Sequence, residues 1–407
     1  MSHSSIEVDI VIMGGGIAGL WLLNRLCSQG YNAILFEQGD VGGAQTIASQ
    51  GMIHGGIKYA LSGALSGASE AIADMPEHWR RCLRGEGDVD LRNTKVLSDH
   101  FYLWSTASIA SKFTSFFASK LTRGRVEKAR REDYPAAFTN PAFKGNVYRL
   151  VDLVLDVPSL LKNLSSHGAG RIFSSANSNC QWQSNGQAIE ALNLQQGDRH
   201  YQIKAQRFIF SAGKGNGELM QQLGIQKPAM QLRPLQQVLV KHSHALPLYA
   251  HCMGNNPSPR LTISSHATAD GKTVWYLGGD LATEHANSDS ATLIAKAQQE
   301  LAELFPWLDL SDAEWATLRI DRAEPKQKGL IKPDQAFAET TAAVTNAIIA
   351  WPTKLTLVPN LADQVTALLA ADNIQPQAGA LSPELAHLTT PTIASPCWET
   401  LFNKTGV

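Results

Sequence analysis

Residues 8–19 read Val-Asp-Ile-Val-Ile-Met-Gly-Gly-Gly-Ile-Ala-Gly. Val8 to Met13 is a short, apolar, β-branched run, the composition of a strand buried on both faces. It stops at Gly14-Gly15-Gly16, and from Ile17 to Cys27 apolar positions return at helical spacing. A second apolar run, Ala33-Ile34-Leu35-Phe36, ends at Glu37. Strand, glycine turn, helix and strand complete a βαβ unit, and a parallel sheet follows from it.

Gly14, Gly16 and Gly19 satisfy the GxGxxG spacing, with Ile17 and Ala18 between the last two. The first glycine makes the tight turn, the second lets a pyrophosphate approach the backbone, and the third lets helix and strand pack closely. The helix start offers N–H groups and a positive dipole end to the phosphates. Glu37 stands where a carboxylate accepts hydrogen bonds from adenosine ribose hydroxyls. The unit is therefore read as a Rossmann-type dinucleotide site, not a glycine turn made for geometry alone.

The chain has 407 residues, 44% hydrophobic and 17% charged, with a formal net charge of −1. That suits a globular enzyme with a cofactor domain and a smaller substrate domain, and it gives no footprint for nucleic acid. Cys27, Cys82, Cys180, Cys252 and Cys397 show no metal-ligand or redox spacing and read as reduced thiols; no metal is expected. The first residues lack a signal-peptide pattern, and no apolar run is long enough to span a bilayer, so a soluble cytoplasmic protein is expected.

Farther along, a Gly-, Ser- and Ala-rich stretch covers residues 39–69, too long for a plain connector and of the kind that touches a ligand. Asp156-Val157-Pro158-Ser159 predicts a helix start. Arg207 to Ser211 and Asn346 to Trp351 read as further buried strands, the second leading to a helix near Pro359. Between them, residues 232–277 alternate in short β-like runs, as a mostly antiparallel second sheet does. Lys112 to Arg131 carries seven basic residues against Glu127 and is read as a basic amphipathic helix. Its plain reading is a solvated face; its functional reading is peripheral contact with an inner membrane face.

Gln45 to Tyr59, containing Ile53-His54-Gly55-Gly56, resembles the flavin-contacting segment of the D-amino-acid-oxidase-like FAD superfamily, nearest its glycerol-3-phosphate dehydrogenase and L-2-hydroxyglutarate oxidase branches. Trp351 to Asp363, with Lys354-Leu355-Thr356, resembles the glycerol-3-phosphate dehydrogenase segment before the last sheet-packing helix. Asp156-Val157-Pro158 and Ser211-Ala212-Gly213 fall in the same order as in that superfamily.

The resemblance implies FAD as cofactor. It implies contacts from the glycine turn, Glu37, Gln38, Gln45, Thr46, Ser49, Gln50, Gly51, Met52, Ala176, Ala212 and Gly213, and from Lys354 to Thr356 at the flavin's pyrimidine edge. Lys58, where the dehydrogenases have arginine, and Tyr59 become candidates for gripping a substrate anion. A lysine is a weaker, non-bidentate clamp, so carboxylate and phosphate stay open. Arg322 is a candidate substrate ligand, although the family places proline directly after the arginine and here Pro325 comes later. Arg319 or Arg322 could instead pair with Asp321 or Glu324. His54 is a candidate base, or a histidine packed beside the flavin ring, with His251 ranked below it.

The expected fold is α/β: a discontinuous FAD domain over 1–90, 146–225 and 326–407, interleaved with a substrate domain over 91–145 and 226–325. The expected activity is hydride transfer from a small anionic hydroxy compound to flavin N5, with quinone, another carrier or oxygen as acceptor. The alternatives are an amine or amino-acid oxidase, and a flavin-binding protein that serves assembly or RNA modification.

Overall fold

The computed structural model describes residues 2–56, 72–107, 126–254, 256, 258–328, 333, 335–377 and 379–403. The chain opens with β1 (Ser2–Met13), α1 (Ile17–Ser28), β2 (Ala33–Glu37), β3 (Met52–Ile53) and α2 (Met75–Leu83). It continues through β4 (Val96–Ser98), β5 (Phe101–Ser105), β6 (Val126–Lys128), β7 (Asn146–Leu150), β8 (Leu153–Leu155) and α3 (Val157–His167). Then come β9 (Ile172–Ser174), β10 (Asn179–Ser184), β11 (Ile189–Gln196), β12 (Arg199–Phe210), α4 (Asn216–Gln222), β13 (Met230–His242) and β14 (Ala250–Met253). β15 (Pro259–Ala267), β16 (Thr273–Gly278), α5 (Asp280–Glu284), α6 (Ser290–Leu304), β17 (Glu314–Pro325), β18 (Phe337–Thr340), β19 (Ala347–Trp351), α7 (Val358–Ala371) and α8 (Cys397–Phe402) complete it.

One sheet runs β10-β11-β12-β1-β2-β9, with β19 beside β12 and β18 beside β19. Its centre is parallel: β1 pairs with β2, with Ile10 opposite Ala33 and Met13 opposite Phe36, and β12 pairs with both β1 and β19. The flanking pairs β10–β11, β11–β12 and β18–β19 are antiparallel. The apolar reading of β1 has a direct cause. Ile10 and Ile12 enter a core with Leu20, Leu23, Leu160 and Leu361 from the helices on one face. Val11 and Met13 enter another with Phe36, Phe208 and Phe210 on the opposite face. A strand covered on both sides has no polar face to show.

The second sheet runs β17-β13-β16-β15-β14-β5-β7-β6 and is antiparallel except where β14 meets β5. Trp104, Phe138, Trp275 and Phe305 fill its core beneath α6. A small antiparallel sheet, β3-β8-β4, completes the strands. The predicted helix at Asp156 forms as α3, with Asp156 Oδ2 accepting the Ser159 N–H at 2.9 Å and Pro158 in the first turn.

One expectation is corrected. Most of 112–131 lies outside the described residues, but 126–128 is not helical: it is strand β6, with Val126 opposite Leu150. Val126 packs against Leu103, Tyr148, Leu150 and Met253, and this apolar contact outweighs the helical pattern of basic residues. Among the described residues no helix is long and apolar enough to cross a membrane.

The chain after α7 runs back past the end of β9 and the loop after β2. Ser174 N–H donates to Thr389 O at 2.7 Å, Val41 forms a parallel bridge with Ile393, and Asp40 accepts from the Thr392 hydroxyl. α8 then packs Trp398 and Phe402 on Leu239, Val274 and Tyr276 of the second sheet.

Candidate functional site

At the C-terminal end of β1 the glycines are required by their neighbours. Gly14 has φ +106°, and a Cβ there would stand 2.5 Å from Ala212 Cα. A Cβ on Gly19 would stand 1.9 Å from the Gly14 carbonyl oxygen, which is the close helix–strand approach the spacing implied. Gly16 begins α1 with no side-chain cap of its own. Thr46 supplies one instead, its Oγ1 accepting the Ile17 N–H at 3.1 Å. Glu37 accepts from the Gly15 N–H at 2.5 Å and from the Gly39 N–H at 2.7 Å, so its carboxylate is fixed at the turn.

The other residues expected at this end gather round it. Ser175 N–H donates to Glu37 O and Ala176 N–H to Ser174 Oγ, which sets Ala176 beside the end of β2. Gln38 is exposed there. Gln45 Nε2 is 3.2 Å from where a Cβ of Gly213 would lie, so these two expected contacts touch. Ser49 Oγ is buried with no hydrogen-bond partner among the described residues. The helix start, the buried Ser49 hydroxyl and the close turn that Gly14 and Gly19 permit fit a dinucleotide.

The second cluster is assembled from remote segments. Gly51 has φ +71° and a Cβ there would meet Leu155 O at 2.1 Å, so the loop presses on β8. Met52 and Ile53 pair with Val154 and Leu153. The His54 N–H donates to Thr356 Oγ1 at 2.9 Å, joining positions 302 residues apart. The Gly55 N–H donates to Asp152 Oδ1 at 2.8 Å. His54 is buried, and Thr356 is fully so. Thr353, at φ +59°, bends the chain ahead of Lys354. Leu355–Leu357 form a 3-10 turn that opens α7 with Pro359 in its first turn. Ile-His-Gly-Gly and Lys-Leu-Thr, read separately in the sequence, thus meet through one threonine.

Between the two clusters, the loop of Ala48 to Gln50 docks on the second sheet. Gln50 Nε2 donates to Tyr276 O at 2.7 Å and to Ser264 Oγ at 3.3 Å, and the Tyr276 hydroxyl donates to Ala48 O at 3.0 Å.

Lys58 and Tyr59 lie outside the described residues. Arg322, on β17 opposite Arg233, donates to Arg233 O and Pro234 O, both at 3.3 Å. Burial, then the nearby Arg233 charge, push its guanidinium down to about 10. The pairing alternative goes elsewhere. Glu324 is taken by Arg233 at 2.7 and 3.0 Å, Asp321 lies 3.6 Å from Lys214, and Arg319 donates to Ala286 O. Arg322 has no ion-pair partner among the described residues. His251 is buried in β14, its Nδ1 2.8 Å from Thr262 Oγ1 and its ring 4.5 Å from Phe101.

Sequence reading missed Trp79, whose indole N–H donates to Thr356 O at 3.1 Å, and Asn216, which joins β12 to β19 through Phe210 O and Ala350 O. Both lie in ordinary amphipathic segments, and only the tertiary contact marks them. It also missed His78, Cys82 and Asp88, whose ligand-type atoms lie within 4.8 Å of one another.

Residues 9–340 match the family model described as DAO, FAD dependent oxidoreductase. The chain belongs to this family. It is 48% identical over 399 residues to a probable FAD-dependent oxidoreductase of Pseudomonas aeruginosa, covering 98% of this chain and 99% of that protein. The crystal structure of that FAD-dependent oxidoreductase superposes with a TM-score of 0.84, at 43% identity over 98% of this chain and 99% of the other. A shorter match, 32% identical over 71 residues, 17% of this chain and 12% of the other, is to one component of the anaerobic glycerol-3-phosphate dehydrogenase of Haemophilus influenzae. Glycine oxidase from Geobacillus kaustophilus shares the fold, with a TM-score of 0.62 at 16% identity over 96% of this chain and 100% of the other. The protein is therefore an FAD-dependent oxidoreductase, and its chemistry requires an electron acceptor.

Proposed function

We propose that this oxidoreductase takes a hydride from a carbon bearing a hydroxyl in a small anion, a 2-hydroxy acid or a compound like glycerol 3-phosphate. The observation that carries the reading is Arg322: a largely buried cation whose hydrogen bonds go to carbonyls and whose neighbouring acid is already held by Arg233. A cation kept in that state favours an incoming carboxylate or phosphate. Lys58 and Tyr59 add a second grip in this reading. His54, buried beside Thr356, accepts the hydroxyl proton. FAD, when bound, supplies the two-electron acceptor. The turn Lys354–Thr356 offers backbone N–H groups beyond that of Lys354, which donates to Pro352 O, together with a helix start and an ammonium, to the pyrimidine edge, where reduction places negative charge. A quinone, another carrier or oxygen then removes the electrons.

The short match to a component of a glycerol-3-phosphate dehydrogenase supports an alcohol over an amine. The test is an anaerobic screen of hydroxy acids, polyol phosphates and amino acids against the purified yellow protein, read as loss of flavin absorbance. Bleaching by a hydroxy anion is expected. Bleaching by amino acids alone overturns the alcohol reading. Failure of every reductant favours a flavin-binding role without small-molecule turnover.

A further inference from the structure

Behind the turn that opens α7, three buried residues and the half-buried Asp88 form a continuous line. The carbonyl of Thr356 accepts the Trp79 indole N–H at 3.1 Å. The Trp79 ring lies 4.6 Å from that of Trp21, and neither ring is exposed. Trp21 in turn donates its indole N–H to Asp88 Oδ2 at 3.0 Å.

Asp88 is the hub of this line. Its Oδ2 also accepts from Arg25 Nη1 at 3.0 Å, and its Oδ1 lies 2.7 Å from His78 Nε2 and 3.3 Å from Cys82 Sγ. The same Arg25 nitrogen lies 2.7 Å from Asp363 Oδ1 on α7. One network therefore holds α7 at two places: the carbonyl of Thr356 at its start, and Asp363 two turns later. Burial alone would raise the Asp88 carboxyl. The hydrogen bonds from His78 and Trp21 and the nearby positive charges outweigh it and hold the group well below the usual carboxylate range. The His78, Cys82 and Asp88 cluster is better described as this hub than as a cation site. Both carboxylate oxygens already take donors, the Arg25 guanidinium sits on the same group, and burial pushes the Cys82 thiol up to about 12.

We propose that Trp79 and Asp88 are positioning residues for the turn Lys354–Thr356 and so tune the reduction potential of the bound flavin. The inference rests on the reading that this turn meets the pyrimidine edge. Stabilisation of the reduced form by a helix start falls off within the first turn, so a small drift of Thr356 shows in the redox equilibrium.

The test compares Trp79→Phe, which keeps an aromatic ring and removes the donor, and Asp88→Asn with the parent, all as full-length FAD-loaded protein. Flavin midpoint potential, visible spectrum and melting temperature are measured for each, with Lys354→Ala as reference. The expected result is a lower potential in both variants. The reduced-to-oxidised ratio at a fixed poise should fall roughly two- to tenfold, the scale of one lost hydrogen bond. Unchanged potential and spectrum in Trp79→Phe and Asp88→Asn, with only a lower melting temperature, overturns the positioning role while Lys354→Ala still moves the potential. If Lys354→Ala leaves potential and spectrum untouched, the placement of the turn at the flavin falls first, and the inference with it. Should Asp88→Asn fail to accumulate, Trp79→Phe decides alone.

Discussion

The two clusters are built in opposite ways. The glycine end is local: strand, turn, helix and Glu37 lie within one short stretch, and its geometry depends on side chains that are missing. The Thr356 end is stitched from the His54 loop, Trp79 on α2, Asp152 beside β8 and the start of α7, joined by three hydrogen bonds. A site made of absent atoms tolerates no addition. A site made of separate hydrogen bonds loses them one at a time, so substitutions should fail abruptly at the first end and by degrees at the second.

Gly19→Ala should have the largest effect. Its Cβ would overlap the Gly14 carbonyl oxygen at 1.9 Å, which only backbone movement relieves. A loss of roughly 3 kcal/mol or more is expected, with protein purified free of flavin. Melting temperature and the ratio of flavin to protein absorbance check it, and a fully yellow, equally stable variant would refute the close approach. Arg322→Ala comes next. Half-saturation by the anionic substrate should rise roughly 30-fold or more while flavin content stays constant, since removing a buried charge partner costs a few kcal/mol. Steady-state kinetics decide this, and an unaltered half-saturation removes Arg322 from the substrate grip.

The second sheet should show an acid sensitivity of its own. His266 is buried, its ring stacked 4.5 Å from that of Trp398, and burial pushes its imidazole down to about 4. The folded pKa lies below the unfolded value near 6.5, so the unfolded chain binds the extra proton between those two values. Stability is full above about pH 6.5 and falls as pH drops toward 4, by up to about 3 kcal/mol from this residue. Melting temperatures from pH 7.5 to 4.5 should fall less steeply in His266→Phe; equal slopes would assign the acid sensitivity elsewhere. Thr356→Val keeps the shape but leaves the His54 N–H without its acceptor, for a cost of about 1–2 kcal/mol. A modest drop in melting temperature with flavin retained is expected, in contrast to Gly19→Ala.

The same contrast explains how much of the molecule is legible in its sequence. β1, α1, β2 and Glu37 are legible because apolar run, turn chemistry and helical spacing agree over neighbouring residues. The Gln45–Gly56 and Trp351–Thr356 segments are legible only through family resemblance, since nothing in either stretch announces the hydrogen bond joining them. Trp79 and Asn216 are illegible because each sits in an amphipathic pattern satisfied equally well by plain burial, and Asp88 because it lies in a polar loop after α2; in each case the partner is fixed by topology. Residues 126–128 mislead because local helical spacing of charge competes with pairing to β7, and pairing decides.

β1 leans on neighbours that the ribosome delivers late. Its register partner β12 begins at Arg199, β19 follows at Ala347, and the bridge to Val41 waits for Ile393. During synthesis the first strand therefore leaves one long edge unsatisfied while about half the polypeptide is still to emerge, a non-local order of assembly that slows folding and exposes the nascent edge to wrong partners. Yield in cells should depend on holding chaperones more than the finished molecule's stability would suggest.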